Sequence, residues 1–169
     1  VCVAAKRMIV EAPIAEEFTA RLAAKVRNLK IGDPLLDDTY IGPMARRDLR
    51  EELDSQVKRS IEEGATLLLG GEAIGPDEAN FYAPTVLAGV TPGMTVFREE
   101  TFGPVVAIIV ANDAEHALAL ANESAYGLSG AIWTADVRRA KAMARRLESG
   151  GVFINGFAAS DPRTPIGGI

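Results

Sequence analysis

The sequence predicts an α/β fold in which a parallel sheet carries helices on both of its faces. Helical stripes alternate with short apolar runs along the whole chain, the pattern of strands linked by crossover helices. The run VVAIIVA, Val105–Ala111, is apolar without a break, as a strand buried on both faces requires. With 48% apolar residues, a chain of 169 can bury a real core.

Taken in order, Val1, Val3 and Ala5 alternate with Cys2 and Ala4, and the basic pair Lys6-Arg7 leads into Met8, Ile9 and Val10. The chain is therefore expected to open in a strand already under way, as a fragment cut at its amino end. Pro13 suits the first turn of a helix with Ile14, Phe18, Leu22, Val26 and Leu29 on one face, ending at Gly32. The turn-rich IGDPLLDDTYIGPM should run over the surface. A second helix carries Leu49, Leu53, Val57 and Ile61 on one stripe and closes at Gly64. ATLLLGG reads as a strand stopped by paired glycines, and 72–96 as loops with one short strand near Val86.

After VVAIIVA, Asp113 can cap a helix bearing Ala117, Leu118 and Ala121, and SGAIWT returns as a strand. Asp136 starts a helix through Val137, Ala140, Met143, Ala144 and Leu147, and GVFIN is the last strand. No repeat or linker divides residues 1–169, which read as one domain.

Composition excludes several functions. Eighteen basic against 23 acidic side chains give a net charge of -5, with the basic residues scattered, so no nucleic acid partner is expected. No apolar run approaches the roughly 20 residues of a membrane span, and no leader precedes the first strand, so no membrane association is expected. A single cysteine excludes an internal disulfide and favours a reducing compartment, the cytoplasm. GGEAIG and GGVFING lack the lysine of a P-loop, and no GxGxxG joins a strand to a helix. One cysteine and one histidine make a metal site unexpected, and His116 reads as a surface residue. On its residues alone, Cys2 is either a small buried hydrophobe or a nucleophile.

Three segments in order narrow that choice. VCVAAKR resembles the segment around the catalytic cysteine of aldehyde dehydrogenases, EETFGPVV resembles their most recognisable downstream motif, and GGVFIN followed by PIGG resembles the stretch ending in their PFGG turn. IGDPLLDDTYIGPM, FYAPTV and YGLSGAIWT resemble family segments as well, so the resemblance covers the whole chain. It implies part of the catalytic domain of a homo-oligomeric dehydrogenase, with a dinucleotide-binding domain before the chain and an oligomerisation tail after Ile169. It also implies an aldehyde substrate and NAD or NADP as cofactor, with NADP favoured.

By the same resemblance Cys2 is the nucleophile, adding to an aldehyde to give a thiohemiacetal that becomes a thioester. An ordinary thiol is only a few per cent ionised at neutral pH, a deficit of about 2 kcal/mol that the site must offset. Glu100, the second glutamate of the motif, would hold the nicotinamide ribose hydroxyls, and Phe102 would pack near the nicotinamide. Glu99 reads as a solvated charge. NGFAASDPRTPIGG resembles the substrate loop of succinate-semialdehyde dehydrogenases, in which Ser160 would bind the substrate carboxylate and Arg163 add charge.

Ser-Asp-Pro is also an ordinary turn, and Asn155, grouped with the substrate-binding residues, reads as a loop organiser near the thiol, with a purely structural role as an equally good alternative. Ile166 stands where the turn usually has phenylalanine, which changes the pocket wall. The general base, the oxyanion asparagine and the adenosine-binding residues would lie upstream, so the fragment alone is expected to be inactive. The alternatives are a dehydrogenase for another small aldehyde and a non-catalytic α/β interaction module.

Overall fold

A computed structural model describes residues 2–169. Val1, the first position of the expected opening strand, lies outside the described residues. The chain forms two compact units, Lys6–Val110 and, with residues 2–5, Ala111–Ile169.

The first unit is built on a four-stranded sheet in the order β1 (Arg7–Glu11), β6 (Val105–Ala111), β5 (Thr85–Ala88), β2 (Thr66–Leu69). The opening strand begins at Arg7, because residues 2–4 form a turn and bend. Cys2, Ala4 and Ala5 are exposed, and such small side chains supply too little apolar area to hold a strand face down. Pairing starts at Lys6, whose carbonyl accepts from the Ala107 N–H at 3.0 Å.

β5 runs parallel to β6, whereas β2 pairs antiparallel with β5. Residues 70–84 turn back through a small antiparallel pair, β3 (Ala73–Ile74) with β4 (Phe81–Tyr82), and no crossover helix reverses the chain there. The sequence shows only loops at this point, since two-residue strands carry no period.

Alternation along the strands sorts the two faces. Val10, Val86 and Ile108 turn to one side and pack with Met8, Val106 and Leu69 against α1 (Ala12–Arg27). α1 contributes Ala15, Phe18, Leu22 and Val26, while Ile14, expected on that stripe, is exposed. A strict four-residue spacing drifts by about 40° per step, so Ala15 sits nearer the centre of the stripe than Ile14 does. α1 also ends at Arg27 instead of Gly32, with Asn28 donating to the Ala24 carbonyl at 3.0 Å. Leu87, Ala107 and Ile109, pointing to the opposite side, are buried as well. There Arg7 lays its guanidinium 4.9 Å from the centre of the Phe97 ring, so α3 (Thr95–Arg98) covers this second face. Within VVAIIVA, Val110 alone is exposed.

The second unit contains α4 (Ala114–Asn122), β7 (Ser129–Ile132), α5 (Val137–Ala144) and β8 (Gly151–Ile154). β7 and β8 are parallel, in register from Ser129 opposite Gly151 to Ile132 opposite Ile154. Both helix starts follow the sequence: the Asp113 carboxylate accepts from the His116 N–H at 2.8 Å, and that of Asp136 from the Arg139 N–H at 2.9 Å. Arg146 reaches Glu115 with two bonds, 3.0 and 2.7 Å, tying the end of α5 to α4.

α2 (Arg47–Glu62) buries Leu53 and Val57 as its stripe predicts, and Gly64 closes it with φ +109°. It also organises α3. A helix of one turn cannot bond its own first N–H groups. The Thr95 N–H therefore donates to Glu63 Oε2 at 2.5 Å, the Thr95 hydroxyl to Oε1 at 2.9 Å, and the Val96 N–H to Ser60 Oγ at 2.9 Å. The two Thr95 bonds, the N–H first, hold the Glu63 carboxyl below its ordinary range. A folded-state value below the unfolded one stabilises fully above the ordinary carboxylate range, and that stabilisation fades as pH falls through the folded value. Glu63→Gln is expected to remove this part of the acid sensitivity, read as a shallower fall of the thermal midpoint on acidification. An unchanged acid limb would show that Glu63 does not cap α3.

Candidate functional site

The motif EETFGP joins α3 to β6, and its backbone leaves the helix extended at Glu99, φ -98° and ψ 151°. Beyond it the Gly103 N–H donates to the Thr101 carbonyl at 3.0 Å, a tight turn centred on Phe102. Thr101 is fully buried, and its hydroxyl has no hydrogen-bond partner among the described residues. Gly103 lies so close to α2 that a Cβ there would stand 2.4 Å from Leu53 Cδ2 and 3.2 Å from Met44 Cε. Between and beside these anchors Glu100 and Phe102 are exposed, Phe102 by 47%. Phe102 is thus no core anchor. A carboxylate and an apolar ring two residues apart can accept hydroxyl hydrogen bonds and offer a ring contact beside them.

Side chains outside the motif brace this segment. From α2, Gln56 Nε2 donates to Glu99 Oε2 at 3.0 Å and to the Glu100 carbonyl at 3.3 Å, and Arg59 Nη2 donates to Glu99 Oε2 at 2.9 Å. Glu99 is exposed, as a solvated charge is expected to be, and is bonded as well. From the strand side, Lys6 Nζ donates to the Gly103 carbonyl at 3.5 Å and lies 5.5 Å from the centre of the Phe102 ring. Burial pulls the Lys6 ammonium below its usual range, and the Glu100 carboxylate partly opposes that shift.

In the second unit, Cys2 is a free, exposed thiol in the turn before β1. Asn155 follows β8 in the left-handed region, φ +52°. Its Oδ1 accepts from the Thr134 N–H at 2.8 Å and its Nδ2 donates to the Thr134 carbonyl at 2.9 Å, so it organises the loop by bridging the ends of β7 and β8. Farther on, Ser160 is exposed. The turn after it is made by Asp161, which accepts from the Arg163 N–H at 2.9 Å and from the Arg163 guanidinium at 2.6 to 3.2 Å. That pairing holds the Asp161 carboxyl below its ordinary range, and answers the charge of Arg163 within the turn. Ile166 is 54% exposed.

Sequence reading singles out Glu100 and Phe102 but passes over Gln56, Arg59, Thr101 and Lys6. Thr101 sits between the exposed Glu100 and Phe102, and no local period of the sequence marks it as buried. Gln56 carried a weak signal, a polar residue beside Leu53 and Val57 on a buried stripe.

The profile of the aldehyde dehydrogenase family matches residues 1–169. Succinate semialdehyde dehydrogenase [NAD(P)+] Sad of Escherichia coli (strain K12) is 57% identical over 169 residues, which are 100% of this chain and 36% of that protein. The probable succinate-semialdehyde dehydrogenase [NADP(+)] of Synechocystis sp. is 44% identical over 168 residues, 99% of this chain and 37% of that protein. Among solved structures, betaine aldehyde dehydrogenase of Staphylococcus aureus in complex with NAD+ superposes with a TM-score of 0.96 at 34% identity, covering 100% of this chain and 34% of that one. The chain thus spans about a third of the length of the curated relatives it matches. With the α/β fold, the ordered motifs and the full-length match in agreement, the chain belongs to the aldehyde dehydrogenase family.

Proposed function

We propose that this chain is part of the catalytic domain of an NAD(P)-dependent aldehyde dehydrogenase that oxidises succinate semialdehyde to succinate. The observation that carries this reading is the outward pair Glu100 and Phe102, displayed on a segment whose alternate residues are anchored. The pair fits a nicotinamide riboside: Glu100 would hold ribose hydroxyls, and Phe102 would lie beside the nicotinamide. When bound, NAD or NADP supplies the acceptor for the hydride whose loss turns a thiohemiacetal on Cys2 into a thioester. Cys2 Sγ, as thiolate, forms the bond to the aldehyde carbon. It is released as thiol when water takes its place on the acyl carbon, giving the carboxylic acid.

Succinate semialdehyde is favoured by the substrate named for the Escherichia coli relative and by the exposed Ser160, whose hydroxyl can donate to a carboxylate. NADP is favoured over NAD by the Synechocystis relative's name. On the same reading, residues 1–169 belong to one catalytic domain of a longer, homo-oligomeric, cytoplasmic protein. A second reading, oxidation of another small aldehyde, draws on the Asp161–Arg163 pair, which leaves that guanidinium already bound.

In the full-length enzyme, Cys2→Ser is expected to lower kcat with succinate semialdehyde by more than about a thousandfold. Near-normal turnover would remove Cys2 as nucleophile. The purified 169-residue chain should form no NADH or NADPH from aldehyde, and measurable formation would overturn the assignment of the base and oxyanion groups to residues upstream. Ser160→Ala should raise KM for succinate semialdehyde about fivefold to tenfold while leaving an uncharged aldehyde of similar length unaffected. Equal changes for both aldehydes would end the carboxylate role of Ser160.

A further inference from the structure

Glu100 can hold a ribose only if the peptide that carries it keeps its orientation. Gln56 is the side chain bonded to that peptide: its Nε2, which has two hydrogens, donates to the Glu100 carbonyl at 3.3 Å and to Glu99 Oε2 at 3.0 Å. Gln56 is 4% exposed, on the face of α2 that also buries Leu53, Val57 and Ser60. A buried amide is costly unless its bonds are made, and an apolar side chain would pack this face without that cost. The amide's recorded bonds both run to the Glu99–Glu100 pair.

We propose that Gln56 is a positioning residue for the nicotinamide half of the cofactor, fixing the peptide after Glu100 and so the direction of the Glu100 carboxylate. The proposal rests on the reading of Glu100 given above. The carbonyl of Glu100 is held toward α2 while Thr101 is sunk beneath the segment, so the Glu100 side chain is left the outward course. At the far end, the Lys6 bond to the Gly103 carbonyl stops the segment from swinging about its other anchor. Without the Gln56 bond the peptide plane between Glu100 and Thr101 is released, and the carboxylate samples directions that do not meet a ribose. Binding is then weakened without loss of any group that touches the ligand.

The test compares wild type, Gln56→Leu, Gln56→Glu and Glu100→Gln in the full-length enzyme. The Kd of NADPH is read from its own fluorescence, with steady-state kinetics and thermal midpoints alongside. Gln56→Leu is expected to weaken NADPH binding about tenfold and to raise KM for the dinucleotide by a similar factor, leaving KM for the aldehyde unchanged. Gln56→Glu keeps the length and shape of the side chain but loses the donor, and should show the same split; it decides the matter if Gln56→Leu does not fold. Wild-type NADPH affinity in the folded Gln56 variants, with weakened affinity in Glu100→Gln, overturns the proposal and leaves the role of Glu100 intact. Wild-type affinity in Glu100→Gln overturns both. A parallel rise of both KM values with a lowered thermal midpoint would make Gln56 a structural residue only, and also overturns the proposal.

Discussion

The seating of Thr101 and Gly103 against the core is the constraint on which the rest of the first unit turns. A threonine with no exposed surface and a glycine with no room for a methyl group hold the segment inward at two points. Glu100 and Phe102, on either side of Thr101, are left exposed. The packing beneath has to hold for this to work, and α2 provides it. Burying Leu53 and Val57 is worth about 1.5 to 3 kcal/mol each. The half-exposed Arg59–Glu99 pair, by contrast, adds no more than about 1 kcal/mol. Apolar burial therefore holds the helix in place, and the polar bonds set the aim of what it supports.

The same division of labour appears at α3. One helical turn has no stability of its own. Its first two N–H groups are taken up by Glu63, just past the end of α2, and by Ser60 within it, while Phe97 is buried under Arg7. The motif EETFGP begins where this turn ends, so the capping of α3 and the orientation of Glu100 are consecutive links in one chain of contacts.

Much of this architecture was legible in the residues. The stripe Leu49, Leu53, Val57, Ile61 gives α2, the unbroken VVAIIVA gives β6, and Asp113 and Asp136 cap the helices they precede. The misreadings have physical causes. Cys2 to Ala5 alternate like a strand, but alternation without bulk does not bury a face. Ile14 fits a four-residue spacing that the helix's own turn does not keep. Lys6 reads as half of a basic pair, and nothing in sequence places it over an aromatic ring 96 residues later. Gln56 meets partners 43 and 44 positions away, and such a bond leaves no local pattern. What sequence order preserves is the motif itself, and what it hides is the support that arrives by folding.

Asn155 shows how the second unit separates support from display. Its amide oxygen and nitrogen engage both backbone groups of Thr134, imitating one more rung of the β7–β8 ladder with a side chain. The point from which the loop departs is therefore set before the loop begins. Phe157 still meets the Trp133 ring edge-on, 5.4 Å between centroids, but residues 158–165 pair with no strand, and a side chain changed there leaves the scaffold that launches the loop as it is.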